Sequence, residues 1–466
     1  MLLSNMRTAS HSSMPRYVAA PSDGLPPGPP GVPLLAIVRL LRNPLESLTA
    51  TREQYGDISC FRVGKIRFVS VADPEVAHHV LVRNHRNYVK SMSYQGLQLV
   101  LGQGLVTSEG AHWRRQRKLA QPAFHRQRLA KLAETMAECV HERLEQWDAR
   151  TDPKVDLHEE MMQLTLRIVG RTLFGTDLGT DLGDLGPVIT TCLHKANDYA
   201  ESIVKVPLWV PTPSNLRFNR AKRRLDAIVH DIIEQRRRSG EDRDDVLGML
   251  MAATDESGTE RMSDQQLRDE VMTLFMAGHE TIATAMSWTF MLLHKHPEVA
   301  REVRAEAQSV LGGWAPGFDD LPKLPYTGRV IDEVMRLYPP AWIVEREAVG
   351  EDQLGTWTIP AGTTVAVSPW LMHRHPDLWE RPEHFDPDRF LPERVEARPK
   401  HAYIPFGAGP RICIGNHFAL MEAKIILATM IQRYDIELID PDAIVLDPRV
   451  TLRPRNGMPA RLRPCS

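Results

Sequence analysis

From Val271 to Leu293 the residues are apolar on nearly every face of a helix, so any fold this chain adopts must surround that segment with protein. A run of this length could also cross a bilayer. Gly278-His279-Glu280-Thr281 lies in its middle, however, and an ionisable group there would be costly in lipid. The segment therefore reads as a central core helix. Enclosing it takes material, which 466 residues at 42% hydrophobic and 25% charged supply. In that setting a buried Glu280 beside Thr281, after the helix-weakening Gly278, needs an explanation. Either Thr281 back-bonds to the preceding turn, or the helix opens locally to admit a small molecule and water.

Composition narrows the class. A net charge of -2 gives no reason to expect nucleic acid as a partner. The five cysteines (Cys60, Cys139, Cys192, Cys413, Cys465) contain no CxxC pair, which argues against a disulfide framework or structural zinc and favours a reducing, cytoplasmic setting. The polar stretch 1–24 reads as a flexible N-terminus, and its apolar start, Met1 to Leu3, is too short for a signal-peptide core. Val32 to Leu41 is short and broken by Pro33 and Arg39, so no transmembrane anchor is expected. With no linker in its interior, 25–466 reads as one domain, and the protein as a monomer.

Along the chain, Ile58–Val63 and Ile66–Val71 read as a hairpin, and a helix starts near Asp73-Pro74. Tyr94 to Ser108 is glycine-punctuated and apolar, which suits a loop over a hydrophobic cavity. His112 opens a basic helix in which Trp113 and Arg117, at i and i+4, share a face and can address one anionic partner. Arg114, Arg115, Lys118, Arg126 and Arg128 make a basic patch suited to an acidic protein. Long helices follow through Arg150, over Val155 to Phe174 and over Asn215 to Arg238, with a proline-rich mobile cover between His194 and Pro213. Gly240 to Ser263 reads as a charged loop around a short helix at Val246 to Ala252. Lys323 to Tyr338 is a helix carrying Glu333 and Arg336, and Trp342 to Glu347 and Leu354 to Val367 are short strands.

Near the C-terminus, Phe406 to Gly415 reads Phe-Gly-Ala-Gly-Pro-Arg-Ile-Cys-Ile-Gly. Its glycines allow tight wrapping, and Asn416 to Tyr434 has helical periodicity, so Cys413 precedes a helix N-terminus that favours a thiolate. An outward thiolate is a soft metal ligand, whereas a buried free cysteine is inert.

Taken together these segments resemble the cytochrome P-450 family of heme-thiolate proteins, from about Leu25 to the C-terminus. The family's cysteine loop matches Phe406, Gly409, Arg411, Cys413 and Gly415, and its Glu-x-x-Arg helix matches Glu333 and Arg336. Its Pro-x-Arg-Phe element matches Pro387, Arg389 and Phe390, its Trp-x-x-x-Arg helix matches Trp113 and Arg117, and its oxygen-binding helix matches Ala277, Gly278, Glu280 and Thr281. One departure is Ile282, where many members carry a second Thr or Ser.

The resemblance implies a mainly α fold with small β sheets, a triangular prism with heme b between the core helix and the cysteine-loop helix. Cys413 would be the axial ligand of the heme iron. His112, Trp113, Arg117, Arg346 and Arg411 would stand at the propionates, with Ala277, Gly278, Phe406 and Gly415 against the ring. Thr281 and Glu280 would deliver protons during oxygen activation, and Glu333, Arg336 and Arg389 would form a buried ion triad. The implied reaction inserts one atom of O2 into an apolar small molecule, a terpenoid, fatty acid or polyketide-like compound held by Met276, Ala277, Trp342, Ile343, Val344 and parts of Ser91 to Thr107. No flavin or iron–sulfur segment is attached, so electrons would come from a ferredoxin or flavodoxin with its reductase. A peroxygenase or isomerase on the same fold, and a non-catalytic heme sensor, are the alternatives.

Overall fold

A helix of 32 residues, Asp264–Lys295, runs through the centre of the molecule. The structure, a computed structural model, describes residues 24–29, 42–63, 66–176, 185–202, 205–240, 245–254 and 261–465. The N-terminus before Gly24, the run Val32 to Leu41 and parts of the Gly240 to Ser263 loop lie outside them. The helix begins with a capping box: Ser263 Oγ accepts from Gln266 N at 3.2 Å, and Gln266 Oε1 accepts from Ser263 N at 2.9 Å. Two of its buried hydroxyls bond back to their own helix, Ser287 to Ala283 O at 2.7 Å and Thr289 to Ala285 O at 2.8 Å. A polar group there costs little because it carries its partner with it.

Leu157–Phe174 lies alongside this helix, and Thr165 Oγ1 donates across the interface to His279 O at 3.0 Å. Pro213–Ser239, Pro325–Leu337 and Asn416–Arg433 pack on its other sides. Their apolar faces make one large core. A second core lies under a five-stranded mixed sheet, in the spatial order Ile58–Val63, Ile66–Val71, Thr364–Val367, Val344–Ala348, Tyr88–Lys90. The expected hairpin opens that sheet with Ile58 opposite Val71. Only the pair Ile66–Val71 and Thr364–Val367 is parallel. Among the described residues no helix is long and apolar enough to cross a membrane.

Two loop expectations change. Tyr94–Leu101 is a helix, and only 102–108 is loop. Gly96 does not break it, because it marks a close contact instead: a Cβ there would sit 2.0 Å from Ala196 O. The cover expected from His194 onward is helical as far as Glu201, within Gly186–Glu201. Residues 203–204 lie outside the described set.

Pro325–Leu337 holds Glu333 and Arg336 with no exposed side-chain surface at all. Arg336 gives Nε and Nη2 to the two Glu333 oxygens at 2.6 and 2.8 Å, and its other donors reach His373 O, Pro382 O and His384 O at 2.8, 2.6 and 3.1 Å. Arg389 Nε lies 3.3 Å from Glu333 Oε1, and Asp386 N donates to that oxygen at 2.9 Å. The pairing is dry and nearly saturated, so removing one partner leaves charge stranded. Glu333→Ala should cost roughly 3 to 5 kcal/mol, read as a lowered denaturant midpoint. An unchanged midpoint would mean that the triad does not hold the fold.

Candidate active site

Between Val271 and Leu293 only Ala277 is exposed, with Gly278 and Thr281 half-exposed and every other residue buried. Spaced i, i+1 and i+4, the three lie on one face. A core helix bare on one patch in mid-length borders an internal space. Thr281 Oγ1 donates to Ala277 O at 3.0 Å, the back-bonded arrangement, which leaves its lone pairs turned to that space.

The cysteine loop supplies the other wall. Cys413 N donates to Phe406 O at 3.0 Å, closing the loop, and Ala419 N to Gly415 O at 2.8 Å begins the helix Asn416–Arg433. Gly409 is required twice over: its φ is +70°, and a Cβ would meet Leu81 O at 2.1 Å. Gly415 has an ordinary φ of -93° and needs no such freedom. Cys413 is exposed, whereas Cys60, Cys139 and Cys192 are buried. Even so, the protein massed around it raises its pKa through desolvation, against the opposing pull of Gly415 N–H and the Arg117 guanidinium. Exposure and desolvation are compatible when a thiol opens into a recess rather than onto the outer surface. The helix N-terminus alone therefore does not make it a thiolate. A bound cation would.

Around the recess, positive charge accumulates. Arg117 Nη1 donates to Ile412 O at 2.8 Å, beside Cys413. The Arg411 guanidinium lies 3.7 Å from the Trp113 ring centroid, pairs with Glu109 and donates to Ser108 O at 2.9 Å. Trp113 thus serves as a platform for Arg411. Arg346, buried in its strand, stands directly opposite Lys90 on the neighbouring strand. Like charges in that register repel. Burial first, then Arg346 and Arg411, hold the Lys90 ammonium well below its usual pKa, and Glu109 is the one acid opposing them. Lys90 is absent from the sequence-based reading because a lysine ending a three-residue strand looks like any edge lysine; only pairing with Arg346 reveals it. The His112 imidazole lies 3.2 Å from Gln103 O.

An iron porphyrin fits these demands: an exposed thiol whose neighbours among the described residues include the Gly415 N–H and the Arg117 guanidinium, a bare helix patch at Ala277, Gly278 and Thr281, and a rim of Lys90, Arg346 and Arg411 that could receive two carboxylates. The expected pocket residues divide. Ala277, Ile343 and Val344 are open or half-open, while Met276 lies in the helical core and Trp342 in the sheet core, its indole N–H on Arg449 O at 2.9 Å.

Glu280 turns away from Thr281. It is buried, and Thr451 Oγ1 donates to its Oε1 at 2.7 Å. Burial raises its pKa, with Thr451 and more distant Arg453 working against the shift. Thr451 was not identifiable from sequence, since it lies 171 positions away in an unremarkable C-terminal stretch. A carboxyl whose pKa is raised on folding contributes stability below its unfolded value and loses it as pH rises through the folded one. Glu280→Gln should therefore be more stable relative to the parent at pH 8 than at pH 4, read as urea midpoints at both values. An equal difference at both would refute the raised pKa.

A family model for cytochrome P450 matches residues 26–458. Cyclooctatin synthase of Streptomyces melanosporofaciens is 37% identical over 444 residues, 92% of each chain. Pentalenene oxygenase of Streptomyces avermitilis is 35% identical over 418 residues, 87% of this chain and 90% of that one. Among solved structures, retinoic acid bound cyanobacterial CYP120A1 superposes with a TM-score of 0.84 at 27% identity, covering 95% of this chain and all of the other. The heme domain of cytochrome P450DA gives 0.86 at 25% identity, covering 94% and 98%.

Proposed function

The chain belongs to the cytochrome P450 family and is a heme-iron monooxygenase of apolar substrates, and we propose that its cofactor is heme b, its substrate a terpenoid and its electron donor a separate ferredoxin or flavodoxin. The observation that carries the site assignment is the bare patch Ala277, Gly278 and Thr281 in an otherwise buried helix, together with the exposed thiol of Cys413.

When bound, the heme supplies reductive activation of O2 and insertion of one oxygen atom into a C–H bond. In this reading Cys413 donates its sulfur to the iron, and Gly415 N–H with Arg117 draws charge from that sulfur. Lys90, Arg346 and Arg411 would hold the two carboxylates, which would relieve the repulsion between opposed Lys90 and Arg346. Ala277, the exposed residue of the patch, would let a ring approach the helix closely, whereas Gly278 is small because a Cβ there would stand 3.0 Å from Val169 Cγ2 of Leu157–Phe174.

Among the described residues Thr281 Oγ1 bonds to Ala277 O, a carbonyl it can release, so its hydroxyl would be free to hold or pass a proton at the bare patch. Glu280 keeps its proton to higher pH than an ordinary carboxyl and is thereby a proton store one residue away. Thr451 fixes the carboxyl by its Oε1. Ile343 and Val344 give the substrate an apolar wall, in keeping with a hydrocarbon skeleton. The exposed Arg114, Lys118 and Arg126 present a basic face to an acidic redox protein.

Thr281→Ala should retain heme and the red-shifted Soret band of the reduced carbon monoxide complex, yet divert most reducing equivalents to hydrogen peroxide, lowering product formed per electron by about tenfold or more. Peroxide and product measured against NADPH consumed in a reconstituted system decide this, and unchanged coupling would refute the role of Thr281. An unshifted Soret band in the parent would refute Cys413 as ligand. Screening terpenoids for a low-to-high spin shift tests the substrate class.

A further inference from the structure

The loop at 102–108 is pinned to the core helix by two consecutive acidic residues. Asp269 Oδ2 accepts from Gln103 N at 2.8 Å, and Glu270 Oε2 accepts from Leu105 N at 3.1 Å. The loop lies flat against the helix. A Cβ on Gly102 would stand 2.3 Å from the Asp269 carboxylate, and one on Gly104 would stand 2.0 Å from Thr273 Oγ1 and 2.6 Å from Asp269 O.

The two attachments differ. The Asp269 carboxylate is also held by Gln265 Nε2 at 2.8 Å and Arg268 Nη1 at 2.9 Å. Glu270 has no exposed surface, its Oε1 has no partner, and neither does the neighbouring Thr273 Oγ1. At the loop's far end Ser108 O accepts from Arg411 at 2.9 Å, and the next residue, Glu109, pairs with Arg411 and accepts from Lys90 N at 2.8 Å. One end of this segment is therefore fastened to the core helix and the other to the cationic rim.

We propose that Asp269 and Glu270 are positioning residues forming a clasp on loop 102–108, with Asp269 the firm end and Glu270 the releasable one, and that this clasp sets how readily an apolar ligand enters and leaves the pocket. The proposal rests on the heme-pocket reading above. Burial, with Leu105 N–H opposing it and Asp269 adding to it, moves the Glu270 pKa up to about 8. The charged group acting on it is Asp269 of its own helix; loop 102–108 has no titratable side chain, and His112 of the adjoining helix bonds to Gln103 O. At neutral pH Glu270 thus grips Leu105 N–H as a neutral carboxyl, a weaker acceptor than the Asp269 carboxylate.

The test uses the heme-loaded enzyme and two ligands of different size: 4-phenylimidazole, a bulky apolar azole, and carbon monoxide on the reduced protein, both followed by stopped-flow absorbance. Glu270→Ala should raise the association and dissociation rates of the azole on the order of tenfold, as expected for losing one such hydrogen bond, and those of carbon monoxide by less than about twofold. Glu270→Gln keeps an acceptor oxygen and should stay near the parent. Gly104→Ala lifts the loop without touching a carboxyl and should reproduce the fast azole exchange, which keeps the test open if Glu270→Ala does not fold. Unchanged azole rates in both Glu270→Ala and Gly104→Ala, or equal acceleration of both ligands, would overturn the clasp. A parent that binds neither ligand would overturn the heme-pocket reading itself.

Discussion

Everything in this molecule answers to the cost of water and charge around one helix. Asp264–Lys295 has almost no wet face, other helices pack around it, and a polar group buried there is costly unless it finds a partner. The exception at Ala277, Gly278 and Thr281 is informative for that reason. A patch left bare in so thorough an enclosure is a wall of something, and the chemistry of its other side, the Cys413 thiol, says of what.

Electrostatics supports the same conclusion from another direction. A folded chain ordinarily separates or pairs its cations, but here Lys90 and Arg346 are placed opposite one another with Arg411 nearby and little acid among them. An anion that joined them would relieve the repulsion and let Lys90 keep its proton. In contrast, Arg336 and Arg389 both reach Glu333, and the remaining Arg336 donors end on backbone carbonyls, so that cluster is satisfied by hydrogen bonds within the protein. Charge clusters of the two kinds look alike in a sequence. Their pairing separates a structural triad from a binding rim.

Much of the architecture was legible in the chain. The core helix, the Ile58–Val63 hairpin, the helix at Val246–Ala252 and the cysteine-loop helix all carry strong periodicity, and the motif residues lie where spacing puts them. Legibility failed where a residue's meaning depends on a distant neighbour. Tyr94–Leu101 looked like loop because Gly96 looked like a breaker, and the contact with Ala196 that makes glycine useful there is not local. Met276 and Trp342, adjacent in sequence to open residues, turn into the two cores.

By itself the sequence determined the family, the single candidate thiol and the acid–alcohol pair, because these are matters of residue type and short-range spacing, which the chain carries directly. Only the tertiary structure decided what those groups face and how they hold protons. Burial raises the Cys413 pKa where a helix N-terminus alone would lower it, and Glu280 finds Thr451 rather than Thr281. Both outcomes depend on solvation and hydrogen bonding set by segments far away in the chain, and no local pattern encodes a dielectric environment.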